Sequence, residues 1–381
     1  MIAGNALLDA FINANILLGV GYVLWLIFRA AMRRLGLGNA HGTQLELLNA
    51  VFVAIIFAPV VVLGVQTLKT WGVASNLNVN LSDLVVSYYL NGGLQMKASD
   101  FQGLIQIRDT FTLDLLSANG PVAQGIIAVF LAGLAVGAVR LGYSVLCLSR
   151  IVAGSFQWRS IGRIRILVSD RTLVPFSTRG LRNYYVVVPA QTLAQHDELK
   201  VSLAHEFQHI RQGDLEWEVL LETLKPVFFL NPAFHAWKRQ VEHLRELRCD
   251  MAVLSRGHIG IRAYCETLLS VCQNTLRRDR AFTIAVPKVT LVTAERGSRR
   301  QGAASLLEQR IKSLLSAQRP PRKRFVFAAI ALPLLAAVCC ATLAIQRPAD
   351  WSQDRLMLST VVNLDRLDEI NRLSTFGRAG Q

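Results

Sequence analysis

Residues 122–148 read VAQGIIAVFLAGLAVGAVRLGYSVLCL, and Arg140 is the one charged residue in the run. A bilayer crossing needs roughly 17–25 apolar residues, and soluble core helices seldom stay uncharged for so long. Working outward, three more runs qualify: 12–28, 47–65 and 325–345. Pro59 and Pro333 lie inside two of them, which membrane helices tolerate. Composition agrees. Hydrophobic residues make up 52% of the 381, charged residues 18%, and mean hydropathy is +0.35, against an ordinary charged fraction of about 25%. The sequence predicts an α-helical membrane protein with four transmembrane helices.

These runs divide the chain into 1–65 with spans one and two, a loop 66–121, span three at 122–148, a segment 149–324, span four at 325–345 and a tail 346–381. Arg29, Arg33 and Arg34 follow the first span instead of preceding it, so it reads as a retained span and not as a signal peptide. The loop 66–121 has only Lys69, Lys97 and Arg108 as cations, whereas 149–324 holds 29 Lys+Arg against 15 Asp+Glu. The Lys/Arg bias therefore puts 149–324 in the cytoplasm of an inner membrane and the loop and tail outside it. The basic surplus suits an anionic inner leaflet, with Arg319, Arg322, Lys323 and Arg324 just before span four. No zinc knuckle, helix-turn-helix or RNP pattern supports nucleic-acid binding. None of the six cysteines falls in the loop or tail and no CxxC occurs, which argues against both a disulfide framework and cysteine-held zinc.

Within 149–324 the pattern changes. The runs 164–168 and 184–188 read as strands of a small antiparallel sheet, with turn residues at 175–180 between them. A helix then begins near Asp197 and stops at Gly213. It carries AHEFQHIRQGD at 204–214. His205 and His209, four apart, project from one face one turn apart. Two imidazoles so placed can bind one zinc ion, and Glu206 stands where it can take a proton from a water at the metal. The motif alone is equally compatible with an ordinary polar helix face. A second helical stretch, EHLRELRCD at 242–250, adds Glu246 and Asp250, again four apart. If it packs on the first helix, Glu246 can be the third ligand, and Asp250 can accept the N–H of a ligating histidine.

Several further features accompany the motif: Val168-Ser169, Pro175 with Gly180, Val188-Pro189, Asp214 after HEFQH, Phe229-Leu230-Asn231-Pro232, Tyr264 with Leu268-Leu269, and Leu307 through Arg310-Ile311. With them the segment resembles the BlaR/MecR-type integral-membrane zinc metallopeptidases, which are antirepressor signal transducers. The resemblance implies an α+β, gluzincin-like peptidase domain inserted between spans three and four. It implies one zinc ion held by His205, His209 and Glu246, Glu206 as general base, and Asp250 and Asp214 behind the ligands. It also implies an edge strand, Tyr184, Tyr185, Val186, Val187 and Val188, that pairs with an extended substrate. The implied substrate is a protein, either a cytoplasmic transcriptional regulator or the chain itself.

His235, His243, Arg245 and Tyr184 are equal candidates for the oxyanion donor. The apolar stretch 219–237, broken by Glu222, Lys225, Pro226 and Pro232, reads either as a re-entrant hairpin or as a core helix pair. Members of the family with a penicillin-binding sensor carry SxxK after span four. Here Ser352 and Ser359 are followed by Arg355 and Val362, so direct acylation by a β-lactam is not expected. Two other functions fit the same residues. HExxH with ExxxD resembles the membrane proteases of prenyl-protein processing and quality control, and a zinc site can also be structural in a non-catalytic transducer.

Overall fold

The computed structural model describes residues 2–34, 36–71, 81–118, 120–277, 289–290, 300–315, 323–345 and 353–378. Helices α1 (Ile2–Arg34), α2 (His41–Ile56), α3 (Ala58–Thr70), α4 (Leu81–Leu90), α5 (Ala98–Ser117) and α6 (Pro121–Ala153) come first. Strands β1 (Phe156–Ile161), β2 (Ile164–Ser169), β3 (Phe176–Arg179) and β4 (Tyr184–Pro189) follow. Then come α7 (His196–Gln212), α8 (Asp214–Leu224), α9 (Pro232–Leu254), α10 (Ile261–Arg277), β5 (Val289–Thr290), α11 (Arg300–Leu315), α12 (Lys323–Ala344) and α13 (Gln353–Arg378). The chain forms two compact units, one of 1–25, 50–130 and 329–381, the other of 26–49 and 131–328.

Two helical stretches, Leu8–Arg34 and Pro121–Ala153, are long and apolar enough to cross a bilayer. The expected second span is bent by 54° between His41–Ile56 and Ala58–Val65. Pro59 accounts for the break, because it has no N–H to return to Ile55 and its ring crowds the preceding turn. The expected fourth span has a described apolar helix at Ala331–Ala344, short of the roughly 17 residues a crossing needs. Among the described residues the spans therefore number two, or three with the bent pair.

In the first unit, Val86, Ala98 and Phe101 of α4 and α5 pack with Leu358 and Val362 of α13, and the rings of Tyr89 and Phe101 stack at 4.0 Å. The loop after span two and the tail thus share one apolar core.

In the second unit the sheet order is β1-β2-β4-β3-β5. The antiparallel pairing expected between 164–168 and 184–188 is corrected: β2 and β4 run parallel, Ile164 opposite Tyr184 through Ser169 opposite Pro189. β3 intervenes in sequence and takes the antiparallel place on β4's other side. Strand β4 is therefore interior, and its Val186, Val187 and Val188 are fully buried. The expectation that 184–188 is a free edge for substrate is overturned by the same pairing, because both of its edges are spent on β2 and β3.

Helix α7 carries Asp197 and Glu198 in its first turn, where the helix dipole favours acids. It ends at Gly213 with φ +72°, a left-handed cap that suits glycine. Helix α9 starts on Asn231, whose Oδ1 accepts from the N–H groups of Ala233 and Phe234, with Pro232 at the first helical position. Leu221, Phe234, Trp237 and Val241 are buried, so the stems of α8 and α9 form a core helix pair. Their connecting turn meets α6 at Gly133 and Gly137, in the middle of the apolar run. A Cβ at Gly137 would stand 2.9 Å from Pro226 Cβ and 3.1 Å from its Cα, and one at Gly133 would overlap the Phe229 ring. The stems of 219–237 thus pack as a core helix pair, and the turn between them seats against α6. Gly137→Val is expected to destabilise the protein by about 1–3 kcal/mol through overpacking against backbone. Thermal unfolding in detergent measures it, with Gly142→Val, which meets nothing within 4 Å, as control. Equal melting temperatures would mean that the turn does not seat against α6.

Candidate metal centre

Helices α7 and α9 bring His205, His209 and Glu246 together. The two Nε2 atoms lie 3.0 Å apart. Glu246 places Oε2 3.5 Å from His205 Nε2 and Oε1 3.7 Å from His209 Nε2. Both rings are fully buried and Glu246 is 8% exposed.

What stands behind the rings fixes their tautomers. His209 Nδ1 donates to Asp214 Oδ2 at 2.8 Å, the aspartate being the first residue of α8. His205 Nδ1 lies 2.8 Å from Tyr264 Oη, and that hydroxyl donates to Asp250 Oδ1 at 2.6 Å. The hydroxyl's own proton is committed to Asp250, so it accepts from His205 Nδ1–H. Asp250 Oδ1 itself is 3.5 Å from His205 Nδ1. The direct bond expected from Asp250 to a histidine therefore runs through Tyr264. With both Nδ1 atoms protonated, both Nε2 lone pairs face inward at 3.0 Å, an arrangement that repels unless a cation lies between them.

The donor set fits zinc. Tetrahedral ligands about 2.0–2.1 Å from the ion stand roughly 3.3 Å from one another, which the 3.0, 3.5 and 3.7 Å separations bracket. Burial, and then His205, keep His209 neutral by holding its pKa well below the usual value. Burial opposes ionisation of Glu246, but Arg310 and the two rings outweigh it and hold its carboxyl below the usual range. Neutral imidazoles with a carboxylate are the ligand forms zinc takes.

Cys249 offers an alternative third donor, since ligand atoms of His205, His209 and Cys249 all lie within 4.8 Å of one another. Its Sγ stands 3.6 Å from His205 Nδ1 and 3.5 Å from the His205 carbonyl. That edge of the ring already belongs to Tyr264, and burial, with Asp250 next, pushes the thiol well above its ordinary value. Glu246 faces both inward nitrogens and Cys249 does not, so Glu246 is the better third ligand.

Glu206 is fully buried beside the pair. Burial pushes its carboxyl up to about 7, with His205 and then Ser177 of β3 pulling the other way. Neither Glu206 oxygen has a hydrogen bond of ordinary geometry, and neither does the Ser177 hydroxyl or Glu246 Oε2. Of these, Glu246 Oε2 has Arg310 Nη1 at 3.3 Å, and the buried Glu206 carboxyl has Ser177 beside it, so Glu206 is the acceptor most open to something that enters the site.

Three of the four oxyanion candidates are held elsewhere. Tyr184 Oη donates to Glu216 Oε1 at 2.6 Å, Arg245 Nη1 donates to Glu218 Oε2 at 2.8 Å, and His235 Nε2 lies 3.0 Å from the Phe229 carbonyl. His243 stands one turn before Glu246 on α9. Burial and then Arg29 lower its pKa, so the ring is neutral.

Sequence reasoning gave no role to Tyr264 or Arg310, although both were in the quoted motifs. Arg310 of α11 grips Asp250 with two bonds of 2.6 Å. The profile of the family described as BlaR1 peptidase M56 matches residues 10–290, well over half of the chain. No curated protein matches.

Proposed function

This chain belongs to the BlaR1 peptidase M56 family, and from that premise we propose that it is a membrane-embedded zinc metalloprotease that cleaves a protein in transmembrane signalling. The observation that carries the proposal is the convergence of His205 Nε2, His209 Nε2 and the Glu246 carboxylate beside the fully buried Glu206.

In this reading His205, His209 and Glu246 hold one zinc ion. Asp214 and the Tyr264–Asp250 pair lock the histidine tautomers. Zinc bound there supplies Lewis acidity, polarising the scissile carbonyl and bringing the pKa of an attacking water toward about 7. Glu206 takes that water's proton and hands it to the leaving amine. Its burial keeps its basicity close to neutral, where such a shuttle works best. His243 is the residue we assign to the oxyanion, as a neutral donor one turn from Glu246.

The substrate would lie along β3, whose outer edge, unlike either edge of β4, is taken among the described residues only by a two-residue strand of the chain itself. The outer edge of β3 already pairs antiparallel with the chain's own Val289–Thr290, Phe176 opposite Thr290 and Ser177 opposite Val289. That pairing supports the chain itself as one substrate, alongside a cytoplasmic transcriptional regulator. A loop and a tail on the same side of the membrane could form the core that α4, α5 and α13 share, which supports α12 as a return crossing; the Lys/Arg surplus of 149–324 supports the cytoplasm as the side of the peptidase domain.

Stripping the detergent-purified chain of metal with a chelator is expected to abolish cleavage of a co-expressed regulator or of the chain, and one equivalent of zinc is expected to restore it. Cleavage that persists at under a tenth of an equivalent of metal would sink the metalloprotease reading.

A further inference from the structure

Helix α11 lies beyond the stretch that the family profile matches, yet it sends one side chain into the centre. Arg310 is 6% exposed. Its Nε donates to Asp250 Oδ2 and its Nη2 to Asp250 Oδ1, both at 2.6 Å. Its Nη1 stands 3.3 Å from Glu246 Oε2. Three nitrogens of one planar fork thus address three oxygens of two carboxylates that are one turn apart on α9. Asp250 Oδ1 is also the acceptor for Tyr264, the residue that orients His205. Two of the three ligands are therefore reached from one guanidinium: Glu246 directly, and His205 through Asp250 and Tyr264.

Helix α11 is seated firmly enough to do this. Leu314 is buried and Leu307 packs beside it, in one cluster with Tyr264, Leu268, Val201, Cys249 and Val253 from the helices around the site. His41 Nε2 of α2 lies 3.0 Å from Ser313 Oγ, three residues beyond the arginine.

We propose that Arg310 is the positioning residue of this centre, setting the orientation of Glu246 and, through Asp250 and Tyr264, of His205, so that α11 governs how tightly the site holds its metal. The proposal rests on His205, His209 and Glu246 being the ligands. Arg310 touches neither substrate nor the reacting atoms. It acts through fixed carboxylate planes, and in its absence Glu246 and Asp250 repel and rotate apart.

The test uses the full-length chain in detergent with Arg310→Gln, Arg310→Lys and, as a check on the ligand reading, Glu246→Ala. Zinc affinity is read by chelator competition, and the site's shape by the visible absorption bands of the cobalt-substituted protein, which a role confined to general folding would not move. Arg310→Gln is expected to weaken zinc binding about 10–100-fold, the usual effect of losing an outer partner of a ligand, and to shift the cobalt bands. Arg310→Lys keeps the charge but not the fork, and is expected to fall between Gln and wild type. If Arg310→Gln does not fold, the Lys variant decides: wild-type affinity and an unchanged cobalt spectrum overturn the proposal. The same outcome with Glu246→Ala losing zinc removes Arg310 alone and leaves the ligand reading standing. If Glu246→Ala also binds zinc as wild type does, the ligand reading fails and takes this proposal with it.

Discussion

Glu206→Gln is expected to bind about one zinc per chain, as wild type does, and to hydrolyse its protein substrate about 10²–10⁴-fold more slowly, the range that a positioned general base contributes. The two effects separate because Glu206 is not among the converging donors. His205, His209 and Glu246 meet one another at 3.0–3.7 Å, whereas the Glu206 oxygens bond to none of them. Gln keeps the volume and removes the basic oxygen. The fold should if anything gain, because the carboxyl of Glu206 is buried and its pKa is pushed up to about 7. A raised carboxyl pKa means that ionisation costs stability as pH rises through that value, and the amide escapes this cost. The metal-free Gln variant should therefore melt no lower than wild type at pH 8. Single-turnover cleavage with metal content measured on the same sample checks the prediction, and a Gln variant that cleaves within a few-fold of wild type would remove Glu206 from the chemistry.

The reach of the sequence can be judged at this site. His205, Glu206 and His209 were legible because helical periodicity is local: three positions on one helix fix their own geometry. Glu246 and Asp250 were legible as a pair for the same reason, though not as partners of the first helix, since nothing in 36 intervening residues states how two helices pack. The links between elements were the hidden part. Tyr264 stands 59 residues from His205, and Arg310 stands 60 from Asp250. No spacing rule covers such a distance. Asp250 was therefore assigned a bond that Tyr264 makes.

In the fold the same division holds. Runs of β-branched residues announced β2 and β4, but periodicity says nothing about partners. β3 entered from the intervening turn and made the antiparallel neighbour that β2 was expected to be. β1 was passed over although Phe156-Gln157-Trp158-Arg159 alternates apolar and polar; the run is short, and all six residues of the strand are exposed, so its alternation marks no buried face. The bend at Phe57 was a matter of degree: Pro59 was visible in the run, and the 54° angle was not. The reading of 219–237 was open because apolar content alone does not tell a core from a bilayer. Gly133 and Gly137, which admit the turn at Phe229 and Pro226, sit nearly a hundred residues away.

Lys238→Met is expected to cost about 3–5 kcal/mol, the range for stranding the partners of a buried ion pair. Lys238 is 6% exposed, and its Nζ lies 2.8 Å from Glu218, 3.1 Å from Glu222 and 2.6 Å from Glu242. Arg245 adds a second cation to Glu218 at 2.8 Å. Removing the ammonium leaves three carboxylates in one place, with Arg245 still on Glu218, Lys225 3.4 Å from Glu222, and Glu242 stripped of its partner. Burial opposes ionisation of Glu218, yet Arg245 and Lys238 outweigh it and hold the carboxyl down to about 2, against 4.5 in an ordinary glutamate. A depressed carboxyl pKa stabilises the folded state above pH 4.5, and that contribution is lost as pH falls from there toward 2. Without Lys238 the Glu218 pKa rises, so the acid limb of stability should move to higher pH. Adding Glu242→Leu to the Met variant should recover part of the loss, because a carboxylate no longer needs a partner there. Melting temperature in detergent between pH 3 and 8 is the measurement, and a Met variant whose profile overlays wild type would show that the cluster carries no net stability. The consequence reaches the metal centre, since the cluster ties α8 to α9. Asp214, which holds His209, opens α8, and Glu246 lies on α9 two turns past Lys238. Loosening this joint should therefore lower zinc affinity along with the melting temperature, without any change to a ligand.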